Sequence, residues 1–178
     1  MGNGSLNGCD VSIHCCKRSL HLPFLTGPAK YFLYSFGNVP NFPVMKISAS
    51  IRNEFQKHAV TVHTDGRQRE VQIPSKEGGY GSSLNGGELL FLSLATCFCN
   101  DTYREAARRN VKIASVEVTV AGEFGKEGEA ASNISYEVKI ESPGCSADEI
   151  ADLIRHVDSV AEIHNTLRSG IPVTLKGV

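Results

Sequence analysis

The sequence predicts an α+β fold in the order βββ-α-ββ-α-β, organised around one long buried helix. Three patterns carry that reading. Strand-like segments alternate apolar and polar residues on both sides of a single long helical stretch. The run Leu89 to Cys99 is apolar on nearly every face, as expected of a helix buried all round. The strands also come in consecutive runs with helices between the runs, which favours antiparallel pairing over a wound parallel sheet.

The elements follow in order. Ile47 to Phe55 and His58 to Thr64 read as strands, and Asp65-Gly66 before Arg69 to Ile73 is a tight hairpin signal. A loop from Ser75 to Asn85 carries Gly78, Gly79 and Gly81. Asn85 caps the long helix and Glu88 completes a capping box, with the helix expected to run to about Arg109. Its second half, Asn100 to Asn110, is polar and is expected to emerge into solvent. Ser115 to Phe124 and Ser132 to Glu141 place Val116, Val118 and Val120, and Ile134, Tyr136, Val138 and Ile140, at period two around a Gly-rich turn. Ser146-Ala147-Asp148-Glu149 opens a second helix with the stripe Ile150, Leu153, Ile154, Val157, Ala161 and Leu167, broken near Asp158. Gly170 and Pro172 end it, and Ile171 to Leu175 reads as a last strand.

The chain of 178 residues is long enough for one domain. Residues 1–44 hold three of the six cysteines, four of the seven prolines and only Asp10, Lys17, Arg18 and Lys30 as charged side chains. They read as an N-terminal extension, either a mobile arm or a stretch upstream of a true start at Met45, and residues 45–178 read as the domain. Apolar residues at 41% and charged residues at 21% are the balance of a globular protein. A formal net charge of −1 gives no reason to expect a nucleic-acid or membrane-surface partner. The scattered cysteines suggest free thiols in a reducing cytoplasm rather than a disulfide framework. Neither a secretory signal nor a myristoylation pattern is evident at the first residues.

Three segments together resemble the OsmC/Ohr family of peroxide-handling proteins: Asn85-Gly86-Gly87-Glu88-Leu89-Leu90, Leu94-Ala95-Thr96-Cys97, and Ala161 to Leu167 followed by Ile171 to Leu175. The resemblance spans about residues 47–178. It implies an intertwined homodimer in which each central helix is covered largely by the partner. It also implies a thiol-dependent hydroperoxide reductase serving oxidative stress defence, with a small-molecule hydroperoxide as substrate, an external thiol as reductant and no cofactor. The family's first cysteine matches Cys97 and its second falls on Ala161. Its glutamate falls on Gly87, one position before Glu88. Its arginine comes from an early strand or loop, with Arg52, Arg67 and Arg69 as candidates.

The residues themselves point to chemistry at the same place. A peroxide-reducing thiol must be reachable and must pass through the thiolate. Cys97 is the candidate nucleophile, against the plainer reading of a small buried hydrophobe. Cys99 lies about 200° further round the helix, so the two cysteines can neither bridge nor chelate one metal together. Glu88 is either a cap or the displaced partner of an arginine. Asp101, one turn beyond Cys97, and Arg104 are either part of a solvated ion-paired helix end or reach the site across a dimer. His164 is either structural or a proton relay, and Glu162 is either solvated or part of the same pocket. Two functional readings remain open: the hydroperoxide reductase, and a non-peroxidatic dimer of the same fold that binds a small apolar or thiol-containing ligand.

Overall fold

The computed structural model describes residues 44–177, so the reading of residues 1–44 as an extension lies, but for its last residue, outside the described residues. Strands β1 (Ile47–Glu54), β2 (Lys57–Thr64) and β3 (Arg67–Glu70) form an antiparallel sheet in that order. The β2–β3 turn is the two-residue type the sequence announces: Asp65 and Gly66 both have left-handed φ, 49° and 79°, which matches the strand twist. The third strand starts and ends earlier than Arg69 to Ile73, because so short a turn pairs Thr64 with Arg67 at once.

Helix α1 (Gly86–Arg108) starts at the expected capping box. The Asn85 side chain accepts from the Glu88 N–H at 2.9 Å, and Glu88 accepts from the Asn85 N–H at 2.7 Å. Strands β4 (Ser115–Phe124) and β5 (Ala131–Glu141) pair antiparallel, with Val118 opposite Val138 and Val120 opposite Tyr136. The register shifts around Gly122. A Cβ there would lie 2.7 Å from the Phe91 ring, so the glycine lets α1 lie close on the hairpin.

The second predicted helix is two helices, α2 (Ala147–Val160) and α3 (Glu162–Arg168). The break falls at Ala161 rather than near Asp158, because Ala161 adopts an extended backbone with ψ 107°. Residues 171–175 form no strand. Pro172 removes a backbone donor, no described strand pairs with the segment, and Val173 is 100% exposed. The observed order among the described residues is therefore βββ-α-ββ-αα.

The core lies between the β4–β5 hairpin and the helices. Phe98 and Ala106 of α1 pack with Leu153, Val157 and Ala161, over Val118, Tyr136, Val138 and Ile140. Within the chain, α1 is covered on one side. Its apolar first half is not enclosed: Leu94 and Phe98 are buried, but Leu92 is 56% exposed. Its polar second half emerges into solvent on one side, with Tyr103, Arg104 and Arg108 exposed, while Asp101, Thr102, Glu105 and Ala106 are buried where α2 and α3 pack on it. Ile47 and Ile51 of β1 are likewise exposed. No described helix is long and apolar enough to cross a membrane.

Leu153 is buried in this core. Leu153→Ala is expected to lower unfolding stability by about 2–5 kcal/mol. In urea titration the midpoint falls while the slope stays unchanged.

Candidate functional site

Cys97 lies on α1 where the N-terminus of α3 meets it. Its sulfur is 3.4 Å from Asp101 Oδ2, one helical turn on, and 3.8 Å from Glu162 Oε2 on α3. Arg104, a further turn along, takes the outer oxygens of both acids: its Nη1 is 2.6 Å from Asp101 Oδ1 and 3.6 Å from Glu162 Oε1. Its Nε also donates to Glu105 at 3.0 Å. Glu105 in turn accepts from Arg108 at 2.7 Å and lies 3.0 Å from His156 Nε2 of α2.

The electrostatics follow from that geometry. Burial pushes the Cys97 thiol up; the Ile163 backbone opposes this, and the charge of Asp101 adds to it. Burial also raises the Asp101 carboxyl, while the hydrogen bond from the Cys97 thiol lowers it. The raised Cys97 thiol is an S–H group that donates to Asp101. Glu105 is held below the usual carboxylate range by its hydrogen bonds from Arg104 and His156. The donor atoms of Cys97, Asp101 and Glu162 all lie within 4.8 Å of one another and are together able to hold a cation.

The other candidate residues fall elsewhere. Glu88 is taken up by the cap, nine residues before Cys97 and so about 13 Å away along the helix. Gly87 stands where the resemblance places a glutamate, and a Cβ there would lie 2.7 Å from the Phe124 ring. Any side chain at that position requires the ring to swing aside. Cys99 lies by Ala95, Thr96, Asn100 and Val118, on another face of α1. Cys145 lines a separate hollow with Arg109 and Leu153. Arg52 pairs with Glu54 on β1, and Arg67 and Arg69 are exposed on β3.

His164 is buried against the rings of Tyr136 and Phe98, at centroid distances of 4.8 Å and 5.8 Å. Neither of its ring nitrogens has a hydrogen-bond partner among the described residues. Burial lowers its pKa, and the nearby Arg168 charge adds to that, so the ring stays neutral. Beside it, the Tyr136 hydroxyl donates to Asp158, which also accepts from Arg168. That network joins β5, α2 and α3. Sequence reading missed it because its members lie 10 and 22 residues apart, with no local motif to signal contact.

A cysteine-bearing central helix set between a strand pair and two short helices defines an α+β protein with a half-buried thiol site. The chain belongs to the OsmC-like protein family, whose model matches residues 79–176. It is similar in fold to an OsmC-like protein from Mycoplasma pneumoniae, at 22% identity and a TM-score of 0.51 over 71% of this chain and 88% of that one. An organic hydroperoxide resistance protein OsmC from Legionella pneumophila aligns at 19% identity and a TM-score of 0.46, over 73% of this chain and 94% of that one. OhrB, the organic hydroperoxide resistance protein of Bacillus subtilis, aligns at 17% and 0.44 over 74% and 96%. No curated protein matches the chain.

The Tyr136 hydroxyl is pushed up to about 12, first by burial and then by its bond to Asp158. A raised acid contributes stability that is complete below its unfolded value near 10 and lost as pH rises toward the folded value. Melting temperature is therefore expected to fall between pH ~10 and ~12, and less steeply in Tyr136→Phe than in the wild type.

Proposed function

We propose that the protein is a thiol-dependent reductase of organic hydroperoxides, working as a homodimer, with Cys97 as nucleophile. The observation that carries this reading is the 3.4 Å contact from the Cys97 sulfur to Asp101. The thiol rests protonated, and a carboxylate stands ready to take its proton as the sulfur attacks. The sulfur bonds to one peroxide oxygen, the O–O bond breaks, and the thiol proton passes through Asp101 to the departing alkoxide. Sulfur is oxidised by two electrons to a sulfenic acid and the hydroperoxide is reduced to an alcohol. Ala161 supplies no second thiol, so an external thiol condenses with the sulfenic acid, releasing water, and a further thiol frees Cys97. The hydroperoxide as substrate class comes from the family resemblance.

The dimer is supported by what one chain leaves uncovered. Residues directly opposite on antiparallel strands share a face. Ile47, Ala49 and Ile51 therefore share one with Val60, Val62, Arg67 and Arg69, while Arg52 stands on the other. The exposed apolar part of that face, Ile47 and Ile51, is of the kind that marks an interface, and Leu92 on α1 is exposed as well. A second copy would supply the cover that these exposed apolar side chains lack within one chain.

The second reading, a non-peroxidatic dimer that holds a small apolar or thiol-containing ligand, is favoured by one observation. Burial and two carboxylates raise the Cys97 thiol instead of lowering it. Consumption of cumene hydroperoxide with a dithiol present separates the two. The reductase reading expects turnover in the wild type, loss of at least about 100-fold in Asp101→Asn and none above background in Cys97→Ser. Equal rates in wild type and Cys97→Ser would end it. Sedimentation analysis tests the assembly: the wild type is expected to run as a dimer, and Ile51→Asp, which buries a charge in the proposed interface, as a monomer.

A further inference from the structure

The site around Cys97 presents three metal-binding donors with their free atoms facing one another. The sulfur lies 3.4 Å from Asp101 Oδ2 and 3.8 Å from Glu162 Oε2. A zinc ion bonds sulfur at about 2.3 Å and carboxylate oxygen at about 2.0 Å, so at tetrahedral angles the two donors stand about 3.5 Å apart. The two sulfur–oxygen separations already sit near that edge length, and all three donors lie within 4.8 Å of one another, although Glu162 stands 65 residues from Cys97 in sequence.

The position of Arg104 is an independent observation. It holds Asp101 by Oδ1 and Glu162 by Oε1, in each case the oxygen that does not face the sulfur. Outer-shell groups at metal sites act in this way, fixing a carboxylate through one oxygen and leaving the other for the ion. Charge points the same way. A thiolate and two carboxylates are balanced by a divalent ion and one guanidinium, whereas the thiol form leaves one negative charge in excess. Asp101 is only 3% exposed, where such an excess is costly. Glu162 is largely exposed, which leaves an open side for a fourth ligand.

We propose that Cys97, Asp101 and Glu162 form a three-residue site for a thiophilic divalent cation of the zinc type, with Arg104 as the positioning residue. Calcium and magnesium take all-oxygen shells, whereas zinc accepts thiolate and carboxylate together. On binding, the S–H bond breaks, the proton leaves to solvent and a metal–sulfur bond forms, with no change of oxidation state. One consequence rests on the reductase reading: a bound ion occupies the nucleophile, so zinc blocks turnover and a chelator restores it. The binding itself does not depend on that reading.

The test is titration of the reduced full-length chain with Co²⁺ as the spectroscopic probe, followed by Zn²⁺. The expected result is a sulfur-to-cobalt charge-transfer band that saturates at a single equivalent and disappears when zinc is added. Cys97→Ser should abolish the band and Cys99→Ser should leave it intact. Loss of an outer-shell partner alone weakens metal binding about 10–100-fold, so Glu162→Gln should weaken it at least about tenfold. Absence of the band in the wild type, or a band of equal strength in Cys97→Ser, overturns the proposal. Should Cys97→Ser fail to fold, unchanged affinity in Glu162→Gln overturns it instead, since that side chain is exposed. Hydroperoxide consumption is measured separately. Turnover without the band removes the metal site alone, and the band without turnover removes the reductase reading alone.

Discussion

Two acidic side chains buried on one helix govern this structure. Asp101 and Glu105 stand one turn apart on α1 and are 3% and 4% exposed. Like charges at that spacing repel, and a buried carboxylate without partners is costly. Arg104 lies between them and bonds to both. Its guanidinium offers more donors than either acid can use, and it reaches on to Glu162. Glu105 draws in His156 from α2 as well. The need to neutralise two buried acids thus fixes where α2 and α3 sit against α1, and places Glu162 within reach of the Cys97 sulfur.

The break at Ala161 serves the same arrangement. Continued straight, α2 would carry residue 162 along its own axis. The extended Ala161 backbone redirects the chain, so that α3 begins beside Cys97 and the Glu162 carboxylate reaches the sulfur. Ala161 is fully buried among Phe98, Leu153 and Val157. A larger side chain there would have to displace part of that core. The position where a second thiol is expected is therefore a packing residue, and the functional groups that face Cys97 come from the residues just after it.

The local features of the fold were legible in the sequence. Both capping boxes, the Asp65-Gly66 turn and the period-two pattern of β4 and β5 rest on interactions within a few residues, which a local pattern can encode. The buried side of the second half of α1 was not legible because it is decided by segments far away. Asn100 to Asn110 reads as a polar, solvated stretch, and only the arrival of His156 and Glu162, 51 and 65 residues from their α1 partners, covers the side that carries Asp101 and Glu105. Residues 171–175 have the composition of a strand, but a strand needs an edge to pair with, and no described strand offers one. At the site, Cys97 and Asp101 were readable as an i, i+4 pair. The role of Arg104 in holding both acids by their outer oxygens was not, since it depends on side-chain directions that only the assembled helices define.

The site's electrostatics determine what kind of thiol Cys97 is. A cysteine activated at rest needs a neighbouring cation to hold the thiolate. Here the nearest charges are carboxylates, and the guanidinium lies behind them, facing their far oxygens. That order stabilises S–H over S⁻ within the chain. It also makes the sulfur responsive to added positive charge. A cation that approaches from the open side, whether a side chain or an ion, meets a thiol already hydrogen-bonded to its proton acceptor, with only the S–H proton left to move. The protonated thiol and the acidic surround thus belong together: the two carboxylates that hold the sulfur as S–H are the groups an added cation would meet.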